Sequence, residues 1–287
     1  MPVGGTRGRG LVVAAGSGPV DCPRGDGHAG VVSSDVARAE WALHRRAGLA
    51  CGAALAAGLP GRFRVWDGDG VLAVLATDPA LGFLSTVSGI ATETVPAAID
   101  LVRAACWDGV ASTVIVPAEV HDTAEGPLRA AGLTRAADRV LAVRRLEPWP
   151  GSAAGERSDV VDAGASDTFL DVLLAGYQVD GLVAAFIRAE HGHLMVRRFL
   201  LREPEMPIAA AAMTIHGDVA VIGGASTLPT HRGKSAQPRL LQHRLRTAAE
   251  AGCVLAVATA RPDSVSAANL HRAGFDIHRR SAWTKTG

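Results

Sequence analysis

The chain has 287 residues, room for two domains of about 100–150 residues each. Its hydrophobic content is 48% but its aromatic content only 4%, so any core rests on Ala, Val and Leu. A formal net charge of +1 argues against a nucleic-acid footprint or a polyanionic partner. The cysteines Cys22, Cys51, Cys106 and Cys253 have neither CxxC nor metal-ligand spacing and read as small buried residues of a reducing compartment. No apolar stretch approaches the roughly 18 residues of a membrane span. A cytoplasmic protein with no metal, no nucleic acid and no membrane contact is expected.

Residues 1–34 are Gly-rich without an apolar period and read as a disordered tail. Arg7, Arg9 and the apolar residues 11–15 resemble the start of a signal peptide, but the run is too short for one. Residues 35–59, Ala-rich with Leu43, Ala47, Leu49 and Leu55, predict a helix lying on a sheet. Residues 63–66 and 71–75 predict strands across an Asp67-Gly68-Asp69-Gly70 hairpin turn. A calcium loop there would need a longer ligand set with a terminal Glu. A strand over 81–88, a helix over 95–107, a strand over 112–116, a helix over 124–131 and a strand over 140–143 complete the first half. Residues 147–159, with Pro148, Pro150, Gly151 and Gly155, read as a linker. Helices are predicted over 166–175 and 183–190, with Tyr177, the only tyrosine, just past the first. Residues 195–202 and 208–213 alternate as an antiparallel hairpin, and His216-Gly217-Asp218 turns into another strand.

That strand opens residues 219–237, around which the chain is organised. An apolar run leads into a loop of small residues with two cations, then a helix over 238–251 closed by Gly252. The first turn of a helix has N–H groups without internal partners, and its dipole favours an anion. Gly233, Ser235 and Ala236 are small enough for backbone to approach phosphate oxygens, Arg232 and Lys234 add charge, and Pro238 suits a first helical turn. The pattern fits a cradle for a phosphorylated ligand; an ordinary strand-to-helix connection uses small residues as well. Residues 253–259 form a continuous apolar run, as in a strand buried on both faces. Arg261-Pro262-Asp263-Ser264 is turn chemistry, with Ser264 or Ser266 as N-cap. A short helix over 267–273 ends at Gly274, and a last strand runs over 275–283.

This order resembles the GCN5-related N-acetyltransferase (GNAT) superfamily over residues 163–283. Arg232-Gly233-Lys234-Ser235-Ala236-Gln237 is similar to its acetyl-CoA pyrophosphate loop, and Asn269 followed by Ala273-Gly274-Phe275 to its second motif. Ser235 stands where the family usually has its middle Gly, and Gln237 where it has a small residue. The first half repeats the order: a helix ending Trp107-Asp108-Gly109, a strand, a helix ending Ala131-Gly132-Leu133, a strand. The resemblance implies an α/β (α+β) fold of two tandem GNAT-like domains, each a mixed, mostly antiparallel central sheet flanked by helices. Residues 35–146 would be a degenerate copy and residues 160–287 the acetyl-CoA-binding catalytic copy. The first copy's equivalent loop, residues 89–94, carries Glu93 instead of cations and is expected to bind no CoA. Its half would be structural or would wall the substrate cleft.

The resemblance further implies that Arg232, Gly233, Lys234, Ser235, Ala236 and Gln237 hold the CoA pyrophosphate. Ser226, Thr227 and Leu228 would run beside the pantetheine, with a backbone N–H there stabilising the oxyanion, and Asn269 would bond the pantetheine arm. Many family members use a tyrosine on the helix carrying the Asn; Leu270 and His271 occupy that region here. His271 is a candidate acid or a solvated surface residue. Glu190, His191 and His193 are candidate bases on the acceptor side or members of a polar turn. The expected function is acetyl-CoA-dependent N-acetylation, with acetyl-CoA as co-substrate, of the primary amine of a small-molecule metabolite by direct transfer in a ternary complex. The alternative is a CoA-binding but catalytically inactive regulatory or scaffold module. A homodimer is left open.

Overall fold

The computed structural model describes residues 34–104, 109–148, 159–204 and 206–285. Residues 1–33 of the tail expected over 1–34, residues 105–108 at the expected helix end, residues 149–158 of the linker expected over 147–159, Cys22 and Cys106 lie outside the described residues.

Helix α1 (Asp35–Ala56) begins where the Ser34 hydroxyl accepts the Ala37 N–H at 3.2 Å. Its buried face is built from Ala39, Ala42, Ala50, Cys51, Ala53 and Ala54, side chains small enough to bring the helix close to a sheet. The N-terminal part of that face packs on Leu141, Val143, Val219, Val221, Leu255 and Val257. The C-terminal part packs on Phe63, Val74, Leu81 and Phe186. One helix thereby bridges strands from both halves. Gly52 on this helix faces open space.

The first half continues with β1 (Phe63–Gly68), β2 (Val71–Ala76), β3 (Thr86–Ser88), α2 (Val95–Arg103), β4 (Ser112–Val116), α3 (His121–Ala130) and β5 (Thr134–Arg145). The first half of the strand expected over 81–88 is a 3-10 turn, Pro79–Leu84, and only Thr86–Ser88 is extended. Pro79 fixes φ there and the Asp78 carboxylate accepts the Ala80 N–H at 2.9 Å, which favours a turn over extension. The second half has β6 (Val160–Asp162), α4 (Asp167–Tyr177), α5 (Gly181–Gly192), β7 (Arg197–Glu203), β8 (Met206–His216), β9 (Val219–Thr227), α6 (Ala236–Glu250), β10 (Leu255–Ala260), α7 (Val265–Arg272) and β11 (Asp276–Lys285). Helix α6 starts at Ala236, two residues before the expected Pro238, so Pro238 lies in its first turn.

The strands form one mixed, mostly antiparallel sheet in the order β1-β2-β3-β4-β11-β5-β10-β9-β8-β7-β6. Among the described residues, only β3 with β4 and β9 with β10 are parallel. The two halves exchange their last strands: β5 lies between β10 and β11, and β11 between β4 and β5. Pairing on both edges explains why β5 runs from Thr134 to Arg145 rather than over the expected 140–143. Instead of two separate sheets, the halves share one. A buried ion pair, Arg280 to Glu40 at 2.5 Å, ties β11 to α1 across the junction.

The site depends on β9 and β10. They pair only where Leu255, Ala256 and Val257 face Val219, Ala220 and Val221, and beyond that they diverge. Against β8 the register runs from Ala212 with Gly223 to Ala210 with Ser226, so β9 carries one extra residue. That is a β-bulge at Gly223–Ser226, which bends β9 away from its parallel neighbour. Helix α6 covers one face of the opening, packing Leu240, Leu241 and Leu245 on the β7–β9 core. Helix α4 packs on the other face, through Phe169, Leu170, Val172 and Leu173.

Candidate active site

Two cavities meet at the bulge. The first, about 290 Å3, lies between β9, β10, α6 and α7 and is lined among others by Gln237, Arg244, Ser266 and Asn269. The second, about 300 Å3, is walled by Leu43 and Arg46 of α1, Phe83, and Phe186, Ile187, Glu190 and His191 of α5. Tyr177, Ile222, Gly223, Gly224 and Thr259 line both. A ligand in one is therefore in contact range of a ligand in the other at the bulge glycines.

The loop at the mouth of the first cavity divides its residues between structure and solvent. Arg232 turns back, donating to the Gly176 carbonyl at 2.8 Å and to the Thr227 carbonyl at 3.4 Å, which ties the end of α4 to the end of β9. Gly233 takes φ +79 with open space where a side chain would be. Lys234 is exposed. Ser235 is the N-cap of α6 in the left-handed region, φ 59 and ψ 20, and its hydroxyl caps no amide. That conformation accounts for glycine being usual at this position. Ala236 is buried in the first turn, and Gln237 donates to the Thr227 hydroxyl at 2.9 Å. Ser226 is turned away from the cavity: its hydroxyl donates to Leu173 at 2.9 Å, and Gly176 leaves it the room. Leu228 packs against the α4 cluster. Asn269 lines the first cavity while its Oδ1 accepts from Arg272 at 2.5 Å. Ser264 caps α7, accepting the Ala267 N–H.

At the second cavity, α5 brings Glu190 and His191 together and α1 adds a partner the sequence reading missed. Arg46 donates to one Glu190 oxygen through Nε at 3.1 Å and Nη2 at 2.9 Å. Burial alone would raise the Glu190 carboxyl; the Arg46 guanidinium outweighs it and holds the group below the usual carboxylate range. Glu190 is thus a paired anion and a weak base. His191 is only 3% exposed, and burial lowers its pKa, so it is neutral at pH 7. Its Nδ1 lies 3.1 Å from the Ile187 carbonyl, which only accepts, so Nδ1 carries the proton and Nε2 the lone pair. Among the described residues, His191 Nε2 and Arg46 Nη1 have no hydrogen-bond partner. Both lie against the bulge: a Cβ on Gly224 would sit 2.0 Å from His191 Nε2, and one on Gly223 would sit 3.2 Å from Arg46 Nη1. Gly224, at φ +62, is glycine for conformation and for space. His193 accepts the Met195 N–H beyond the helix end, and His271 is exposed on α7, outside both cavities.

Tyr177 is the second residue the sequence reading missed. It closes α4, keeps 37% of its surface open, and takes a backbone hydrogen bond from Ala225 in the bulge. Burial of its hydroxyl, with Glu190 nearby, pushes the phenol up, so it remains a proton donor at neutral pH. Its being the only tyrosine, at a helix end, was the available signal. Arg46 and Arg244 were hidden because each sits among apolar positions of a helix face.

Residues 166–275 match the family model described as the acetyltransferase (GNAT) family. Among solved structures, a GCN5-related N-acetyltransferase from Kribbella flavida aligns over 89% of this chain and 96% of its own, with a TM-score of 0.56 at 17% identity. One from Sphaerobacter thermophilus aligns over 76% and 81%, with a TM-score of 0.54 at 11% identity. A functionally unknown conserved protein from Staphylococcus epidermidis aligns over 78% and 94%, at 0.54 and 12%. A search of curated proteins finds no match. The match over residues 166–275 supports an N-acetyltransferase, an acyltransferase, and the aligned structures share the fold of most of the chain. Its fold supports acetyl transfer.

Proposed function

We propose that the protein transfers an acetyl group from acetyl-CoA directly to the primary amine of a small-molecule metabolite, both substrates being bound at once. The observation that carries this reading is the pair of cavities meeting at Gly223 and Gly224, one opening beside the α6 N-terminus and the other walled by α1 and α5. The pyrophosphate docks on the amides and cations of residues 232–237, and the pantetheine follows the first cavity past Asn269. The thioester carbonyl reaches the bulge, where a backbone N–H polarises it. The amine enters from the second cavity. Its lone pair attacks the carbonyl carbon, His191 Nε2 takes the nitrogen's proton directly or through water, and the C–S bond breaks with its electron pair on sulfur. Tyr177, at the junction of the cavities, supplies the proton that completes the thiol. The first half serves as a degenerate copy of the fold: its loop over 89–94 carries Glu93, and Thr94 Oγ1 takes the Ala91 N–H that a phosphate would need.

The test is free-thiol release from acetyl-CoA across an amine panel, with CoA binding measured by calorimetry. Acetylation of at least one amine, abolished by Tyr177→Phe, is expected. Tight CoA binding with no turnover on any amine or in cell extract would favour the inactive regulatory module instead.

A further inference from the structure

Arg244 is a buried cation without a carboxylate. It is 3% exposed, on the face of α6 between Leu240, Leu241 and Leu245. Its Nε donates to the Leu240 carbonyl at 3.1 Å and its Nη1 to the Ala212 carbonyl at 3.2 Å. Among the described residues it forms no ion pair. Burying an unpaired charge is costly, by several kcal/mol in general, so its retention needs a reason. Burial and Arg46 lower its pKa, to about 10, which leaves it charged at neutral pH.

Its position supplies the reason. Ala212 pairs with Gly223 at the bulge, so the guanidinium is anchored level with the bulge. It also lines the first cavity, together with Tyr177, Gly224 and Ala225. Arg244 is about two helical turns, roughly 10 Å, beyond Gln237 and hence beyond the phosphate loop. A positive charge so placed is matched to the reacting end of the cofactor, not to its phosphates.

We propose that Arg244 stabilises the negative charge that gathers on the cofactor sulfur as the thioester C–S bond breaks. The electron pair of that bond passes to sulfur beside the guanidinium, and the sulfur then takes a proton to leave as CoA thiol. Charge is stabilised most strongly where water is excluded and the donor is already oriented, as Arg244 is by two carbonyls. The other groups facing the junction are Arg46 of α1, which is neutralised by Glu190, neutral His191 of α5 and neutral Tyr177 of α4. Arg244 is the one among them whose charge is uncompensated.

The inference rests on the acetyl-CoA reading, and its test needs no acceptor. The thiol of CoA bound to the intact protein is titrated by thiolate ultraviolet absorbance, with desulfo-CoA as the blank. In the wild type the bound thiol should titrate about one pH unit or more below free CoA, a tenfold rise in thiolate population. Arg244→Gln should return it to the free value, while Arg244→Lys should keep part of the shift. A bound thiol that titrates like free CoA, or an unaltered shift in a folded Arg244→Gln variant, overturns the assignment. Should the Gln variant not fold, the wild-type comparison of bound with free CoA and the Lys variant still decide. Absence of CoA binding by calorimetry would remove the cofactor reading too, whereas binding with an unshifted thiol removes only the role of Arg244.

Discussion

Gly224 and His191 show how closely a single residue is specified here. Gly224→Ala must place a side chain in the left-handed region and on top of His191 Nε2. It is expected to cost about 1–3 kcal/mol in urea unfolding and to abolish turnover by displacing the proposed base. His191→Gln keeps the volume but removes the basic ring nitrogen, and kcat should fall about 10²–10⁴-fold with little change in acetyl-CoA KM. Because burial lowers the His191 pKa, the acid limb of kcat/KM should lie below the ordinary histidine value of about 6.5. Histidine burial also sets the pH dependence of stability. His44 and His216 are both lowered to about 4, each chiefly by burial. The unfolded chain binds their protons near pH 6.5, before the folded protein does, so stability is fully present above that pH and declines as pH falls toward 4. Equilibrium unfolding at pH 7, 5.5 and 4.5 should show the decline, and His44→Gln should make it shallower.

At the scale of the element, the β9–loop–α6 unit separates the proposed cofactor contacts from packing. Arg232 is committed to the Gly176 and Thr227 carbonyls, so Arg232→Ala should lower Tm as well as raise the acetyl-CoA KM. Lys234 is exposed, so Lys234→Ala should raise that KM about tenfold or more at unchanged Tm, the loss of one charge-assisted phosphate contact of about 1.5–3 kcal/mol. An unchanged KM in both variants would reduce the loop to a solvated connection. Ser235 holds a left-handed backbone with no compensating cap, so Ser235→Gly should stabilise the protein by up to about 1 kcal/mol in chemical denaturation. Most of this unit was legible in the sequence, since small residues, cations and a first-turn proline are local signals. The bulge was not. It depends on how β9 registers against β8, which also decides that Gly223, Gly224 and Ala225 line the first cavity.

The whole molecule is held by contacts between the halves. Removing β5 would leave β10 and β11 without the strand that lies between them. Residues 160–287 expressed alone should therefore fail to give a cooperative unfolding transition, and co-expression with residues 34–148 should restore one. The second cavity is shared in the same way, since α1 contributes Arg46 to a site whose remaining polar groups belong to the second half. Arg46→Met would leave Glu190 buried and unpaired, at a cost of about 3–5 kcal/mol, and Glu190→Met in the same chain should recover much of it. Denaturant midpoints of the two single variants and the double variant check this coupling.

The order of helices and strands and the small, cationic loop at residues 232–237 ahead of a helix followed from the sequence alone, because each is a local pattern of size, charge and periodicity. Tyr177, Arg46, Arg244 and the exchange of β5 for β11 did not. These depend on which distant segments the sheet brings side by side, and strand pairing is decided by burial and register over more than a hundred residues of separation. A tyrosine at a helix end or an arginine on an apolar face acquires its chemistry only when the sheet closes around it.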